Sequence, residues 1–201
     1  LMTTQALYAP YKALGYVTDD VPFNVNVLGT EVFLTVSIGN CFQVYRTDRL
    51  TCCLVSQPIP STSASKSTSP PPSSSSGVAS IERGETTRTI TSICTHSHET
   101  FIAVDGLIYV YNRTRIVRTY NMHQDVPIVG MIMIGTLLLS CDSSNTLNVI
   151  DIKSRQLIHD LVFLHEECVT CMIHPNTYLN KIIVGFSDGH LELWNIKTKS
   201  L

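Results

Sequence analysis

Four eight-residue segments align without gaps: GNCFQVYR (39–46), GLIYVYNR (106–113), NTLNVIDI (145–152) and GHLELWNI (189–196). Each opens on a turn residue and then alternates apolar with variable positions. A large apolar residue stands near the end of each, Tyr45 at the seventh place and Tyr111, Ile150 and Trp194 at the sixth. Alternation of period two bounded by Gly, Asp, Asn or Ser is the pattern of a strand, whereas a helix repeats its apolar residues three and four apart. Working outward, similar apolar bursts fill the rest of the chain, and no long helical period occurs. Tyr45, Tyr111, Ile150 and Trp194 stand 66, 39 and 44 positions apart. The first interval contains residues 57–80, a stretch of 24 in which fifteen are Ser or Pro, and without it the interval is 42.

A period of about 40–45 residues with four strands in each unit predicts the blade of a WD40-type β-propeller. The expected fold is all-β, a partial propeller of about four blades over residues 1–201. One four-stranded blade cannot bury both of its faces, so blades must stack radially. The Ser/Pro-rich stretch at about 57–80 cannot bury enough apolar surface to offset its ordering entropy and is expected to be a disordered surface insertion. Leu1 precedes Met2, so the chain is expected to be a piece of a longer protein.

The fourth unit resembles the WD repeat most fully. His165-Glu-Glu-Cys-Val-Thr-Cys-Met-Ile-His-Pro175 is similar to the segment that carries the innermost strand. Lys181–Phe186, Ser187-Asp-Gly189 and Leu191–Ile196 are similar to the second strand, its turn and the third strand. In that family a His, a Ser or Thr, an Asp and a Trp form a hydrogen-bonded relay. The resemblance places His165, Asp188 and Trp194 in the relay, with Val184 where the hydroxyl belongs and Asn195 where the Asp of the Trp-Asp pair belongs. The third unit keeps only His123 and Ser140 of this set, and the second only Asp105.

Charge and composition exclude several functions. Fourteen Lys+Arg against sixteen Asp+Glu give a net charge of −2, so the clustered positive field needed to grip nucleic acid unaided is absent. Only 15% of residues are charged, which points to a surface covered by neighbours in an assembly. The longest apolar uncharged stretch, between Asp125 and Asp142, is shorter than the roughly 20 residues a membrane helix needs and is interrupted by Pro127, Gly130 and Gly135. No secretory signal is visible. The seven cysteines are read as buried thiols in a reducing compartment.

His165, Cys168, Cys171 and His174 have the spacing of zinc ligands, but alternation along a strand turns Cys171 away from Cys168 and His174. No metal, cofactor or small-molecule site is expected. No phosphate-binding, nucleophile-elbow or metalloprotease motif is present either, and no enzyme is expected.

Other words are more specific. Tyr8-Ala-Pro-Tyr-Lys-Ala-Leu-Gly15 with Asp20-Val-Pro-Phe23, Ser37-Ile-Gly-Asn-x-Phe-Gln-Val-Tyr45, and His174-Pro-x-Thr-Tyr-Leu-Asn-Lys-Ile182 continuing to Gly189-x-Leu-x-Leu-Trp-Asn195 resemble one family. It is the U3 small nucleolar RNA-associated protein twenty-one family, also called WD-repeat protein thirty-six, at its N-terminal propeller. The resemblance implies a nucleolar scaffold subunit of the small-subunit processome that supports small-subunit rRNA processing. Its implied partners are other WD-repeat subunits of the subcomplex built around the periodic-tryptophan WD protein, with U3 snoRNA and pre-rRNA reached indirectly and no membrane. A generic WD adaptor outside the nucleolus is the alternative.

Overall fold

The computed structural model describes residues 19–60 and 88–200. These form fifteen strands in four antiparallel sheets, each a meander of sequence neighbours. The first sheet holds β1 (Asn24–Leu28), β2 (Glu31–Ile38), β3 (Cys41–Arg46) and β4 (Thr51–Val55). The second holds β5 (Ser92–His96), β6 (Glu99–Val104), β7 (Leu107–Asn112) and β8 (Arg115–Asn121). The third holds β9 (Ile128–Ile134), β10 (Leu137–Asp142), β11 (Thr146–Asp151) and β12 (Gln156–Val162). The fourth, β13 (Val169–Ile173), β14 (Lys181–Phe186) and β15 (Leu191–Asn195), has three strands among the described residues. All four aligned segments therefore fall on third strands. No helix of the described residues is long and apolar enough to cross a membrane.

The sheets stack as blades. The first strand of each, β1, β5, β9 and β13, touches the first strand of the next. Hydrogen bonds fix that stacking: Met131 N–H donates to Ser92 Oγ at 3.0 Å, and Ile128 N–H to the Asp105 carbonyl at 2.8 Å. Three apolar clusters fill the three blade junctions. Both faces of β6, β7, β10 and β11 lie in these clusters, which is why those strands read as nearly continuous hydrophobic runs. Phe42 of the first blade meets Tyr111 of the second edge to face at 5.1 Å, and Phe163 meets Trp194 at 5.3 Å.

One irregularity recurs. The third and fourth strands slip register between Val44 and Tyr45, between Val110 and Tyr111, and between Val149 and Ile150. Each slip leaves an extra residue on the fourth strand, which bends that strand and re-aims its side chains.

Among the described residues the outermost faces of the arc have no blade against them. On β1 and β4, Val25, Val27 and Val55 are exposed, and on the fourth sheet Ile173, Leu191 and Leu193 are. Of the Ser/Pro-rich stretch, Gln57–Pro60 is ordered. Ile59 is buried and its N–H donates to the Asn40 carbonyl at 2.9 Å, because its side chain fills the first junction. Residues 61–80 and the Tyr8–Gly15 word lie outside the described residues.

Candidate functional site

The polar groups that the sequence singles out lie on the second and third strands, in the turns between them or just before the first strand, and each blade combines them differently. In the third blade His123 is 3% exposed, Ser140 0% and Asp142 4%. His123 Nδ1 stands 2.8 Å from Asp142 Oδ2, and Nε2 stands 2.8 Å from Ser140 Oγ. An ionised carboxylate can only accept, so beside it the ring presents Nδ1–H to Asp142, and the neutral ring in that tautomer accepts the Ser140 hydroxyl at Nε2. Asp142 Oδ1 also takes the amide N–H groups of Ser144 at 2.9 Å and Thr146 at 3.0 Å, fixing the β10–β11 turn.

The third blade thus keeps more than His123 and Ser140. Asp142 supplies the acid from two residues further along the same strand face, and Asn148 joins from directly across, opposite Ser140. Its amide donates to the Met122 carbonyl at 3.1 Å and lies 3.3 Å from the imidazole nitrogens. The signals were the two-residue spacing of Ser140 and Asp142 and the cross-strand register. Register needs the hairpin geometry and is not carried by composition.

The Ser–His–Asp distances are those of a hydrolase relay, but the burial is not. No water or substrate reaches Ser140 Oγ, so the set is a strand clamp whose buried groups satisfy one another.

In the second blade Asp105 has no histidine. Arg88 takes that place, with its Nε donating to Asp105 Oδ2 at 3.0 Å and its guanidinium to Tyr109 Oη at 3.0 Å. In the fourth, His165 Nε2 is 3.9 Å from Asp188 Oδ2, beyond hydrogen-bond reach, while the ring stacks on Phe186 at 4.3 Å. Trp194 packs against the apolar cluster that contains Val184. Its Nε1–H donates to Glu192 Oε2 at 2.6 Å, and Glu192 pairs directly with Val184 across the hairpin. Glu192 thus fills the role of the missing hydroxyl. In the first blade Tyr45 bonds Gln43 in the same relation.

His165, Cys168, Cys171 and His174 do not converge. Cys168 and Cys171 are exposed free thiols, and Cys52 and Cys53 are exposed too. The expectation of buried cysteines holds for Cys94 and Cys141, whose thiols burial pushes up to about 12. It fails for those four because they sit on the outer strand or open face of an end blade, or just before β13. Among the described residues, His165 instead approaches His190 and Glu192, with ligand atoms within 4.8 Å of one another. Glu192 Oε1 lies 3.8 Å from His190 Nε2, and two of the other atoms are already engaged. His165 Nδ1 accepts the Glu167 amide N–H at 3.2 Å, which leaves the neutral ring's proton on Nε2, and Glu192 Oε2 holds the indole. The arrangement suits a structural stack better than a metal.

Four radially stacked meander sheets, three of four strands and one of three among the described residues, define a WD-repeat β-propeller segment. The model of the WDR36/Utp21 first beta-propeller matches residues 74–201, and the chain belongs to that family. It is 28% identical to U3 small nucleolar RNA-associated protein 21 homolog of Schizosaccharomyces pombe, over 95% of this chain and 19% of that protein. It is 26% identical to human WD repeat-containing protein 36, over 99% of this chain and 20% of that one. The chain therefore spans about a fifth of the length of these relatives. Among solved structures, the computationally designed Ika4 protein matches with a TM-score of 0.59 at 14% identity, covering 93% of this chain and 99% of that chain. Raptor of Chaetomium thermophilum matches with a TM-score of 0.59 at 14% identity, covering 86% and 15%. These two likenesses concern the fold.

Proposed function

We propose that the protein is a non-catalytic scaffold subunit of the nucleolar small-subunit processome. It would hold other WD-repeat subunits in place while U3 snoRNA and pre-rRNA assemble for small-subunit rRNA processing. Membership of the WDR36/Utp21 family carries this reading. Two features support the mechanism. The groups that resemble a catalytic relay are sealed in the third blade, and the net charge of −2 favours contact with RNA through protein neighbours. Depleting the full-length protein should cause small-subunit rRNA precursors to accumulate and largely spare large-subunit rRNA, read by northern hybridisation. Normal small-subunit processing after depletion would sink the reading. Tight, salt-resistant RNA binding by the isolated propeller would sink the scaffold mechanism.

A further inference from the structure

In the first three blades two residues connect the first strand to the second: Gly29-Thr30, Ser97-His98 and Gly135-Thr136. The fourth blade departs from this. Residues 174–180, His-Pro-Asn-Thr-Tyr-Leu-Asn, form a longer loop between β13 and β14. The loop is held at its base. Tyr178 N–H donates to the Pro175 carbonyl at 3.1 Å, Asn180 Nδ2 to Asn195 Oδ1 at 3.0 Å, and Ile196 N–H to the Asn180 carbonyl at 2.9 Å. On this support Leu179 stands 92% exposed. A loop that a rigid scaffold holds with an apolar tip facing water is a common form of binding element.

Leu179 overhangs a groove of about 220 Å³ between the third and fourth blades. Leu137, Val149 and Ile158 form most of one wall, Ile196 with the stem of Lys197 forms the other, and His159 bridges the two with its Nε2 2.7 Å from the Ile196 carbonyl oxygen. Ile158 faces the groove because it is the extra residue of the bulge opposite Val149 and Ile150. Both walls belong to this chain, so the groove is not an edge awaiting another blade. The corresponding groove between the first and second blades has a mixed wall, in which Asn26 and Thr35 stand among Leu28, Phe33, Val44 and Leu54. Its opposite wall is polar, formed by Thr95, Ser97, His98, Thr100 and Arg113. Apolar walls on both sides and a lengthened loop thus coincide at the third junction.

Charge at this end is one-sided. Lys153 and Arg155 lie in the β11–β12 turn, and Lys181, Lys197 and Lys199 lie at the matching end of the fourth blade. None of the five forms an ion pair among the described residues. Asp151, the nearby acid, accepts the turn amides of Lys153 at 3.2 Å and Ser154 at 3.1 Å. We infer that the groove docks an extended protein segment in which carboxylates flank a bulky apolar side chain. That side chain enters between Leu179 and Ile158, and the carboxylates meet the lysine rim. RNA fits less well. Phosphates would use the cations but leave the apolar walls uncovered, and Tyr178, the ring that could stack on a base, already carries the Lys181 ammonium 4.6 Å above its centre.

The inference deepens the scaffold reading by giving that scaffold one contact surface and the chemistry of its partner. The test is fluorescence anisotropy with the full-length protein and labelled peptides of about twelve residues, each with Leu, Ile, Phe or Trp between runs of Asp and Glu. At least one should bind saturably, and its alanine-centred version should not. Leu179→Asp should weaken binding about tenfold or more while leaving the melting temperature unchanged. Lys197→Glu with Lys199→Glu should weaken binding and flatten its salt dependence. Absence of saturable binding by every peptide, or binding indifferent to Leu179→Asp, overturns the inference. Displacement of the peptide by single-stranded RNA of similar length, with RNA affinity tracking the lysines and not Leu179, reassigns the surface and also overturns it. A flat titration leaves the scaffold reading intact, since that reading fails on the depletion phenotype instead.

Discussion

Ser140 donates its hydroxyl hydrogen bond to a histidine that no solvent reaches, so removing it leaves Nε2 of His123 buried with only the Asn148 amide, 3.3 Å away, beside it. Ser140→Ala should cost about 1–3 kcal/mol in urea unfolding. Asp142→Ala should cost more, roughly 3–5 kcal/mol, because one carboxylate serves the imidazole and two turn amides. Equal costs would mean that the turn bonds contribute nothing. The buried thiols give a second residue-scale test. Burial raises Cys94 and Cys141 from the ordinary 9.0 to about 12. The folded chain therefore keeps protons that the unfolded chain releases. This stability is fully present below about pH 9 and is lost as pH rises from there through about 12. Urea midpoints at about pH 8 and about pH 10 should fall further apart in the wild type than in Cys94→Val/Cys141→Ala. Some alkaline slope should remain, since the Tyr111 hydroxyl is also raised to about 12 by burial.

At the scale of the element, the fourth blade replaces a hydroxyl on its second strand with a carboxylate on its third. Trp194, the chain's single tryptophan, packs on Phe163 and donates to Glu192. Trp194→Ala should cost about 3 kcal/mol, the lower end for large aromatics because the ring is only partly buried. Trp194→Phe should recover most of that, and a loss as large as that of the alanine variant would show that the indole N–H outweighs the packing. The turn between β6 and β7 also bears on the third-blade clamp. A Cβ on Gly106 would come within 2.7 Å of the Asp125 Cα, which is backbone and cannot swing aside. Asp125 lies in the segment that carries His123, so Gly106→Ala should cost about 1–3 kcal/mol. In a double-mutant cycle it should couple with Ser140→Ala, and strictly additive losses would show that the clamp does not feel the turn.

For the whole molecule, the two end faces set the behaviour of the 201-residue chain. Val25, Val27 and Val55 at one end and Ile173, Leu191 and Leu193 at the other present apolar sheet to water. Purified alone, this chain should self-associate in sedimentation velocity, and Ile173→Lys/Leu191→Lys should shift it toward monomer. A monodisperse wild-type monomer would show that the faces are not sticky enough to matter. The Ser/Pro-rich stretch leaves and re-enters at one turn: Ile59 N–H bonds the Asn40 carbonyl at 2.9 Å, and Ile90 N–H bonds the Gly39 carbonyl at 3.3 Å. Replacing residues 61–80 with a short Gly/Ser linker should leave the melting temperature nearly unchanged, because closure cost grows slowly with loop length. A large drop would mean that the segment packs.

Alternation along 39–46, 106–113, 145–152 and 189–196 by itself determined the strands, the repeat and the four-blade arrangement, because side-chain period and turn residues are local properties of a chain. The resemblance to the WD repeat, a separate signal, put His123 with Ser140 and Trp194 on a third strand. Only the tertiary structure decided which partners meet across a register: Asp142 and Asn148 around His123, Glu192 under the indole, and Arg88 where a histidine was absent. It likewise decided which cysteines face water and how a bulge brings Ile158 beside Leu179. The physical reason is that a hydrogen bond or a groove wall depends on contacts between distant residues. One extra residue in a strand reverses which face a side chain takes, and the amino-acid pattern barely records that slip.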